Sequence, residues 1–439
     1  MKKVPYVKTV MGDTETPITV FQKYVGDKVG FLLESKSKEK NRFSFIGTDP
    51  KKMIQADNKN NTMAILKSAL EEYEVTNTTH LPFMGGAVGI ISYEQSSHFF
   101  LVTEFIAYDH DYGKILFVAI DSDDLDGENR AHKQLETMYQ QFKKPLLTEI
   151  GKERDVNAHN KFNTSDYTSN MSKPEFIEMV NKAKQYIQEG EVSQIVISQR
   201  WEAESNIHPF KLYRNLRSLN PSPYLFYFNF GDYQIVGSSP EMLVEIKNEK
   251  ISNCPLAGTR KRGKTEAEDN ALAKELLEDP KEVKEHIMLV DLGKEDMALV
   301  AKKESIQVNE YMKIQKYSHV MHIGSLVQGE KRKEISSLEV LNAFFPAGTL
   351  TGYPRTRAME IIDELEKDKR GFYGGTAGYI GFTGDMDMCI AIRMMVVKNQ
   401  KIYMQAGAGI VADSVAEKEY EESENKVKAL INAVYMGRD

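Results

Sequence analysis

Two pairs of charged residues have the spacing that places both side chains on one face of a helix. Glu282 and Glu285 lie three residues apart behind Pro280, and Glu422 lies four residues before Lys426. Residues three or four apart are neighbours on a helix surface. Mg²⁺ commonly takes one or two carboxylates and keeps positions for water and an anionic substrate. Solvated helix faces carry the same pairs, so spacing alone leaves both interpretations open.

Two histidines, His319 and His322, lie three residues apart in the segment KYSHVMHI. No thiolate accompanies them, and they lack the HExxH spacing of a zinc site on a helix. The residues alone therefore favour a catalytic or a buried structural role over a transition-metal site.

Glycine-rich segments could bring backbone groups to a ligand. Residues 405–410 (QAGAGI) follow a β-like run, and glycines let backbone N–H groups approach a carboxylate closely. Residues 345–355 (FPAGTLTGYPR) predict a loop before a helix. The pattern FMGGAVGIISY at 83–93 recurs as FYGGTAGYIGF at 372–382, and each copy predicts a strand entered through glycines. Neither copy has a phosphate-loop motif.

The composition limits the class of protein. A chain of 439 residues predicts two domains or one two-lobed body. Its formal charge of −7 argues against a general nucleic-acid-binding surface. Cys254 and Cys389 have no metal-type spacing, which favours a reducing compartment. Because we find neither a signal-peptide core nor an apolar run long enough to span a membrane, we expect a soluble, cytoplasmic protein.

The organisation along the chain predicts two domains. Residues 1–147 mix strand-like and helix-like segments, and residues 148–170 form a polar linker without periodic apolar positions. Residues 171–439 open with a helix that Ser172 caps, continue through short β-rich segments, and close with an amphipathic helix from Ala416 to Tyr435.

Ordered motifs along nearly the whole chain resemble the chorismate-utilising enzymes, most closely the large subunits of anthranilate synthases. The resemblance implies an α+β fold in which antiparallel sheets pack between helices in a four-layer α/β/β/α sandwich with two intertwined domains. The motifs that carry it are LLES (32–35), RFSFIG (42–47), NPSPY (220–224), GSSPE (237–241), PLAGTRKRG (255–263), KEHIMLVDLG, YSHVMH, FPAGTLTG, FYGGTAGYIGF, IAIR (390–393), QAGAGIVADS and EYEESENK.

The same resemblance assigns a binding site. It implies that Glu285 and Glu422 hold Mg²⁺, with Glu282 in the outer shell. Arg suits a planar, bidentate grip on a carboxylate, whereas Lys acts as a point charge. The two carboxylates of chorismate would be bound by Thr349, Tyr373, Arg393, the Gly407 backbone and Lys426.

The chemistry of this family requires a general acid, because chorismate must lose its 4-hydroxyl while a nucleophile adds to the ring. Glu241 occupies the matching position. A second step removes the enolpyruvyl group as pyruvate, and His322 is the candidate that assists it. We expect His319 to be structural.

Two positions favour ammonia as the nucleophile. Relatives that add water carry a lysine base where this chain has Gln194, and ammonia already has a nucleophilic lone pair. Many aminodeoxychorismate synthases carry a nucleophilic lysine where this chain has Ala257, which cannot attack. The combination implies that ammonia adds at C2 and that anthranilate forms after pyruvate loss. An aminodeoxychorismate synthase and a non-catalytic, tryptophan-binding regulatory subunit remain the alternatives.

The resemblance also implies partners. Neither cysteine lies in a nucleophile turn, so a separate glutamine amidotransferase subunit would supply the ammonia. A site for L-tryptophan as feedback inhibitor would lie between the domains, formed by Glu34, Ser35, Pro221, Ser222 and Tyr224.

Two segments depart from the family pattern. Lys294-Glu-Asp296 stands where Arg-Asn-Asp is usual, with Leu299 in place of a second arginine, and Tyr353-Pro-Arg355 stands where Ala-Pro-Lys is common. We place the first departure in a loop one turn beyond the carboxylates. None of these positions belongs to the predicted site, so we expect the chemistry to survive and the coupling to a partner to be more sensitive.

Overall fold

The computed structural model describes residues 2–35, 42–145, 167–317 and 320–436. Strands in the first part of the chain are β1 (Lys3–Met11), β2 (Gly30–Glu34), β3 (Phe43–Thr48), β4 (Lys52–Ala56), β5 (Gly86–Ile91), β6 (Ser97–Val102), β7 (Glu104–Asp109) and β8 (Lys114–Ser122). Later strands are β9 (Thr168–Ser169), β10 (Gln194–Glu204), β11 (Tyr224–Asn229), β12 (Gln234–Ser239), β13 (Met242–Lys247), β14 (Lys250–Asn253), β15 (Leu256–Lys261), β16 (Gln307–Lys316), β17 (Val320–Glu330), β18 (Gly352–Tyr353), β19 (Thr376–Gly381), β20 (Met386–Ile390), β21 (Met394–Lys398) and β22 (Lys401–Ile410).

The described helices are α1 (Pro17–Tyr24), α2 (Lys59–Glu71), α3 (Leu125–Phe142), α4 (Lys173–Gln188), α5 (Pro209–Leu219), α6 (Glu266–Glu278), α7 (Pro280–Ala298), α8 (Ser337–Phe344), α9 (Gly348–Thr351), α10 (Arg355–Leu365) and α11 (Ala416–Tyr435). Several begin at the capping residues that the sequence offers. Ser172 caps α4 in a capping box with Glu175, and Asp279 caps α7 by accepting hydrogen bonds from two backbone N–H groups of its first turn.

The strands form two antiparallel sheets. The first has twelve strands in the order β1-β8-β7-β3-β2-β11-β12-β21-β22-β10-β18, with β9 beside β10. The second has ten strands in the order β15-β17-β14-β13-β20-β19-β5-β6-β4, with β16 beside β17. The two similar glycine segments of the sequence form β5 and β19, which are direct neighbours in this sheet and pair Gly89 with Gly378.

Packing gives the sandwich its four layers. Helices α1, α3, α5 and α11 contact the first sheet, while α2, α6, α7 and α8 contact the second. Between the sheets lies a buried aromatic cluster to which both contribute, including Phe45 and Phe226 from the first and Phe100 from the second. Burial of large aromatic rings supplies much of the energy that holds such sheets together. The predicted α/β/β/α architecture is confirmed.

Both sheets contain strands from before and after residues 146–166. Strand β2 pairs with β11, and β5 pairs with β19. The two parts of the chain are therefore intertwined. The boundaries at 147 and 171 stay predictions, and most of the predicted linker lies outside the described residues. Among the described residues, no helix is long and apolar enough to cross a membrane.

Three local predictions need correction. Residues 294–296 lie inside helix α7 and not in a loop, because the helix continues through Gly293. A Cβ atom at Gly293 would lie 2.6 Å from Asn253 Oδ1, so this glycine permits close packing instead of ending the helix. Residues 345–355 are not one loop, because they contain the single turn α9 and the short strand β18. The QAGAGI segment lies within β22 rather than after it.

Candidate active site

The predicted active-site residues come from distant parts of the sequence, and the titratable ones lie close together in one region, which we call the cleft. The pKa values of Glu241, Glu285, His322, Arg393 and Glu422 are each affected by the charge of at least one other member of the predicted site. The residues are Gln194 on β10, Glu241 between β12 and β13, Glu285 on α7, His322 on β17, Thr349 on α9, Tyr373 before β19, Arg393 before β21, Gly407 on β22, and Glu422 and Lys426 on α11.

Glu241 is a buried carboxyl group with 8 % of its surface exposed. Its backbone is fixed, because its N–H donates to Ser239 Oγ and its carbonyl oxygen accepts from the N–H of Ile390. Burial raises the pKa of Glu241 to about 8, although hydrogen bonds with the Thr349 hydroxyl and the Leu256 backbone, and then the charges of Lys426 and Arg393, lower it in part. At neutral pH this carboxyl group carries a proton that it can donate.

Two further polar side chains of the predicted site are buried. The side-chain carbonyl oxygen of Gln194 has no hydrogen-bond partner in the described part of the chain, and the hydroxyl of Thr349 lies beside the Glu241 carboxyl group. The Gln194 amide is confined by β22, since a Cβ on Gly409 would lie 2.9 Å from its Nε2 atom. Burying a polar group without a partner costs free energy. Such atoms are therefore suited to bind polar groups of a ligand.

Two cations line the β22 side of the cleft. Lys426 Nζ donates to the Gly407 carbonyl oxygen at 2.9 Å and pairs with Glu422 at 2.6 Å. Arg393 forms no ion pair with any residue that the structure describes. Burial lowers the pKa of Arg393, while Tyr373 and two nearby carboxylates raise it. An unpaired guanidinium in a buried site is suited to a carboxylate ligand.

Tyr373 lies beside Arg393 and the Gly407 backbone N–H. Burial raises the pKa of its hydroxyl to about 12. The hydroxyl is therefore protonated at any physiological pH and can donate a hydrogen bond.

His322 is held by its Nδ1 atom. This atom lies 2.7 Å from the Gly258 carbonyl oxygen, to which it donates, and 3.2 Å from Thr259 Oγ1. The donation leaves Nε2 as an acceptor in the neutral ring. Burial lowers the pKa of His322, and the charges of Arg393 and Lys426 lower it further despite the bond to Gly258. His319 lies outside the described residues.

Three carboxylates form the acidic side of the cleft. Burial raises the pKa of Glu285, and the negative charges of Glu282 and Glu422 add to the effect, while Lys426 opposes it. Burial acts in the raising direction on Glu422 as well, but Lys426, Lys281 and Arg393 together outweigh it and lower the pKa of that carboxyl. Glu282 pairs with Arg260 at 3.4 Å.

The chemistry of this donor set fits Mg²⁺. The donors are oxygens only, and a divalent cation would relieve the repulsion between Glu285 and Glu422. The described residues contain no group of three or more His, Cys, Asp or Glu side chains able to hold a metal. Substrate and water would therefore have to complete the coordination shell, as is usual for this ion.

A separate cavity of about 680 Å³ lies between the sheets. Of the residues predicted for a tryptophan site, Glu34, Ser35 and Tyr224 line it, whereas Pro221 and Ser222 do not. The Glu34 carboxylate accepts hydrogen bonds from Tyr213 and, in bidentate fashion, from Arg217. Glu34 is thus occupied in holding the cavity wall. None of the predicted active-site residues lines this cavity.

The sequence interpretation missed two arginines that contact the predicted site. Arg260 pairs with Glu275, Asp279 and Glu282, and so fixes the start of α7. Arg370 is buried behind Tyr373. Both lie in quoted motifs or directly beside them, but a motif does not reveal which charged residue is turned inward.

Comparison with known proteins agrees with this geometry. The family model described as chorismate binding enzyme matches residues 29–432. The chain belongs to the chorismate-binding enzymes. An anthranilate synthase component 1 from Acetivibrio thermocellus is 43 % identical over 471 aligned residues, which cover 98 % of this chain and 95 % of that one.

Solved structures agree with the fold of this chorismate-binding enzyme. Anthranilate synthase component I from Streptococcus pneumoniae superposes with a TM-score of 0.79 at 36 % identity, covering 89 % of this chain and 92 % of its own. A menaquinone-specific isochorismate synthase from Escherichia coli also has a TM-score of 0.79, covering 98 % of this chain and 94 % of its own. That protein is 18 % identical, so it shows the common fold alone.

Proposed function

We propose that this chorismate-binding enzyme is the large subunit of an anthranilate synthase, a lyase that converts chorismate and ammonia to anthranilate, pyruvate and water. The observation that carries the proposal is one buried cleft holding a protonated acid, Glu241, an unpaired guanidinium, Arg393, and a neutral histidine, His322. The sequence relationship to anthranilate synthase component 1 chains supports the same activity.

Chorismate has two carboxylates, and the cleft offers two cations. Arg393 and Lys426 would each take one carboxylate, since a dianion needs compensation in a buried site. The hydroxyls of Tyr373 and Thr349 and the backbone at Gly407 would add hydrogen bonds to the same groups. The burial of the Thr349 hydroxyl beside Glu241 supports its place in this set.

Glu241 would protonate the 4-hydroxyl as it leaves as water. Its raised pKa supports this role, because the carboxyl group holds the required proton at neutral pH. Ammonia would add at C2 as the ring double bonds shift toward C4. The unpartnered carbonyl oxygen of Gln194 would accept a hydrogen bond from ammonia and direct its lone pair to the ring.

The second step removes a proton from C2 and the enolpyruvyl group from C3, which leaves the aromatic ring and releases pyruvate. The neutral His322 ring, with Nε2 free, would receive or direct that proton. Mg²⁺ held by Glu285 and Glu422, with Glu282 behind them, would supply positive charge for the ring carboxylate.

A covalent route through an enzyme nucleophile is not favoured. Ala257 is buried on β15, next to the Gly258 carbonyl that accepts from His322. Its methyl side chain cannot attack the ring. Direct addition at C2 by ammonia therefore fits better than the aminodeoxychorismate route.

We further propose that a glutamine amidotransferase subunit supplies the ammonia in the cytoplasm. Cys389 is buried, and burial raises the pKa of its thiol, while Cys254 accepts a hydrogen bond from Gln315. Neither thiol is suited to attack glutamine, because the thiolate is the nucleophile. Both cysteines are free, as expected in a reducing compartment.

We also propose that L-tryptophan inhibits the enzyme by binding in the 680 Å³ cavity. The cavity is lined by β2 and β11, and the latter continues through β12 toward Glu241. A ligand that favours one packing of these strands could change the position of the acid.

The decisive experiment incubates the purified chain with chorismate, MgCl₂ and ammonium sulfate and identifies the aromatic product. We expect anthranilate and pyruvate in equal amounts. A para-amino product, or an amino intermediate that persists until a lyase is added, would contradict the proposal. Binding of tryptophan without any turnover would instead support a regulatory subunit.

A further inference from the structure

A buried ion pair joins Arg370 to Glu366 behind the cleft. Their side chains are 1 % and 5 % exposed. Arg370 Nε donates to Glu366 Oε2 at 3.0 Å, and Nη2 donates to Glu366 Oε1 at 2.7 Å. Charges buried this deeply are costly unless every donor and acceptor is satisfied. The remaining donors of Arg370 show what the pair holds.

Two backbone carbonyls accept from the same guanidinium. Nη1 donates to Leu350 O at 2.6 Å, and Nη2 donates to Val196 O at 2.7 Å. Leu350 directly follows Thr349 in α9, and Val196 follows Gln194 by two residues in β10. Glu366 completes the link, since its Oε1 atom accepts from the N–H and the hydroxyl of Ser198 in β10.

The face of the guanidinium also contacts two tyrosine rings. Its central carbon lies 4.5 Å from the ring centroid of Tyr93 and 5.9 Å from that of Tyr373. The Tyr93 hydroxyl donates to Thr351 Oγ1, also in α9. A cation over an aromatic face is attracted to it, and the planar guanidinium is well suited to this contact.

Not every segment depends equally on the pair. Strand β10 is also held by a continuous ladder to β22 from Ile195 to Glu204. By contrast, α9 is a single turn without a side-chain cap, and Tyr373 lies outside any strand or helix. Arg370 thus joins two weakly held segments to one that is strongly held.

We propose that Arg370, fixed by Glu366, is a positioning residue that sets Thr349 and Tyr373 against the β10 side of the cleft. This inference rests on the proposed function, because those two residues are the proposed ligands of chorismate. Gln194 pairs with Tyr353 of β18, but it directly precedes the ladder between β10 and β22, and its side-chain amide lies against Gly409 of β22. Loss of the guanidinium therefore weakens the use of chorismate and leaves the use of ammonia unchanged.

The test compares Arg370→Lys and Glu366→Gln with the wild type. Lysine keeps the charge but lacks the planar fork that serves a carboxylate and two carbonyls together. Glutamine keeps an acceptor for Ser198 but removes the charge. The matched control is Arg357→Lys on α10, where the arginine forms more exposed ion pairs with Glu191 and Glu360 and has no part in the predicted site.

Steady-state rates are measured per folded molecule, with the folded fraction taken from circular dichroism and thermal unfolding. We expect kcat/KM for chorismate to fall about 10- to 100-fold in both variants, since misplacement of binding groups by about 1 Å can cost that much. We expect KM for ammonium to change less than about twofold, and the control to match the wild type.

Several results would overturn the inference. One is an unchanged kcat/KM for chorismate per folded molecule, because the pair would then act on stability alone. A second is failure of both variants to fold, because the pair would again be required for stability. A third is an equal loss of kcat/KM for chorismate and for ammonium. If the wild type itself forms no anthranilate, the proposed function fails first, and that result is visible before any variant is made.

Discussion

Glu241→Gln separates the catalytic role of this carboxyl group from its effect on stability. Burial raises the pKa of Glu241 to about 8 from its ordinary value near 4.5. Below pH 4.5 the folded and unfolded states both hold the proton. Between the two pKa values the unfolded chain releases the proton while the folded protein keeps it, so stability falls as pH rises.

The size of this effect follows from the two pKa values. From pH 5 to pH 8 the folded protein loses about 3 kcal/mol of stability through Glu241, at about 1.4 kcal/mol per pH unit and with the slope flattening near each pKa. Glutamine does not titrate. The difference in the free energy of unfolding, variant minus wild type, should therefore grow by about 3 kcal/mol over the same range.

Urea unfolding at pH 5, 6, 7 and 8 measures this difference, and any constant change in packing cancels because only its pH dependence is used. In the same samples kcat should fall on the order of 10²- to 10⁴-fold, since an amide is not a general acid. The wild-type rate should decline as pH rises through about 8, when Glu241 loses its proton.

Glu334→Gln is the control, because that side chain is 71 % exposed and far more accessible to water than Glu241. It should match the wild type in rate and in the pH dependence of unfolding. A flat difference curve for Glu241→Gln would refute the raised pKa. A variant with the wild-type rate would refute the acid role, whatever its stability.

Three further outcomes are expected. Glu285→Ala and Glu422→Ala should each abolish Mg²⁺-dependent turnover without loss of the folded state in thermal unfolding, and full activity in either would contradict the metal assignment. Gln194→Leu removes the buried acceptor and should raise KM for ammonium about tenfold, while KM for chorismate changes little. An equal rise in both KM values would count against a role of Gln194 in binding ammonia. Leu33→Trp places a larger side chain in the wall of the 680 Å³ cavity and should raise the tryptophan concentration for half inhibition at least about tenfold; unchanged inhibition would place the inhibitor elsewhere.

The sequence was most informative where local chemistry decides the structure. Ser172 as cap, with a proline just inside, predicted the start of α4, and short β-rich segments between turn residues predicted the strands of the later part of the chain. Neither pattern predicts the order in which the strands lie in a sheet. The pairing of β2 with β11 joins residues about 190 positions apart, and such pairing depends on packing of the whole sandwich.

The candidate site shows the same limit. Spacing could place Glu282 and Glu285 on one helix face, but it could not bring Glu422 near them or leave Gln194 without a partner. The family resemblance supplied those residues, whereas the structure supplied the burial that raises the pKa of Glu241. Arg370 escaped notice because a sequence gives no direct measure of burial, and most arginines are exposed.

The two segments that depart from the family pattern contact each other through Asp296, which keeps the usual aspartate, and Arg355, which stands where lysine is common. Arg355 Nη2 donates to Asp296 at 2.5 Å, and Nη1 donates to the Ala343 carbonyl oxygen at 2.9 Å. Arg355 thus ties the last turn of α7 to α8, a double contact for which a planar guanidinium is better shaped than an ammonium. The first turn of α7 is held by Arg260 through Asp279 and Glu282.

Helix α7 is therefore fixed by an arginine at each end, with Glu285 between them. In the sequence, the changes within residues 294–299 and 353–355 suggest two separate losses. In the structure, the retained Asp296 and the changed Arg355 form an ion pair that helps to hold the helix carrying the proposed metal ligand. This is a physical reason to expect the chemistry at Glu285 to persist although the sequence around it has changed.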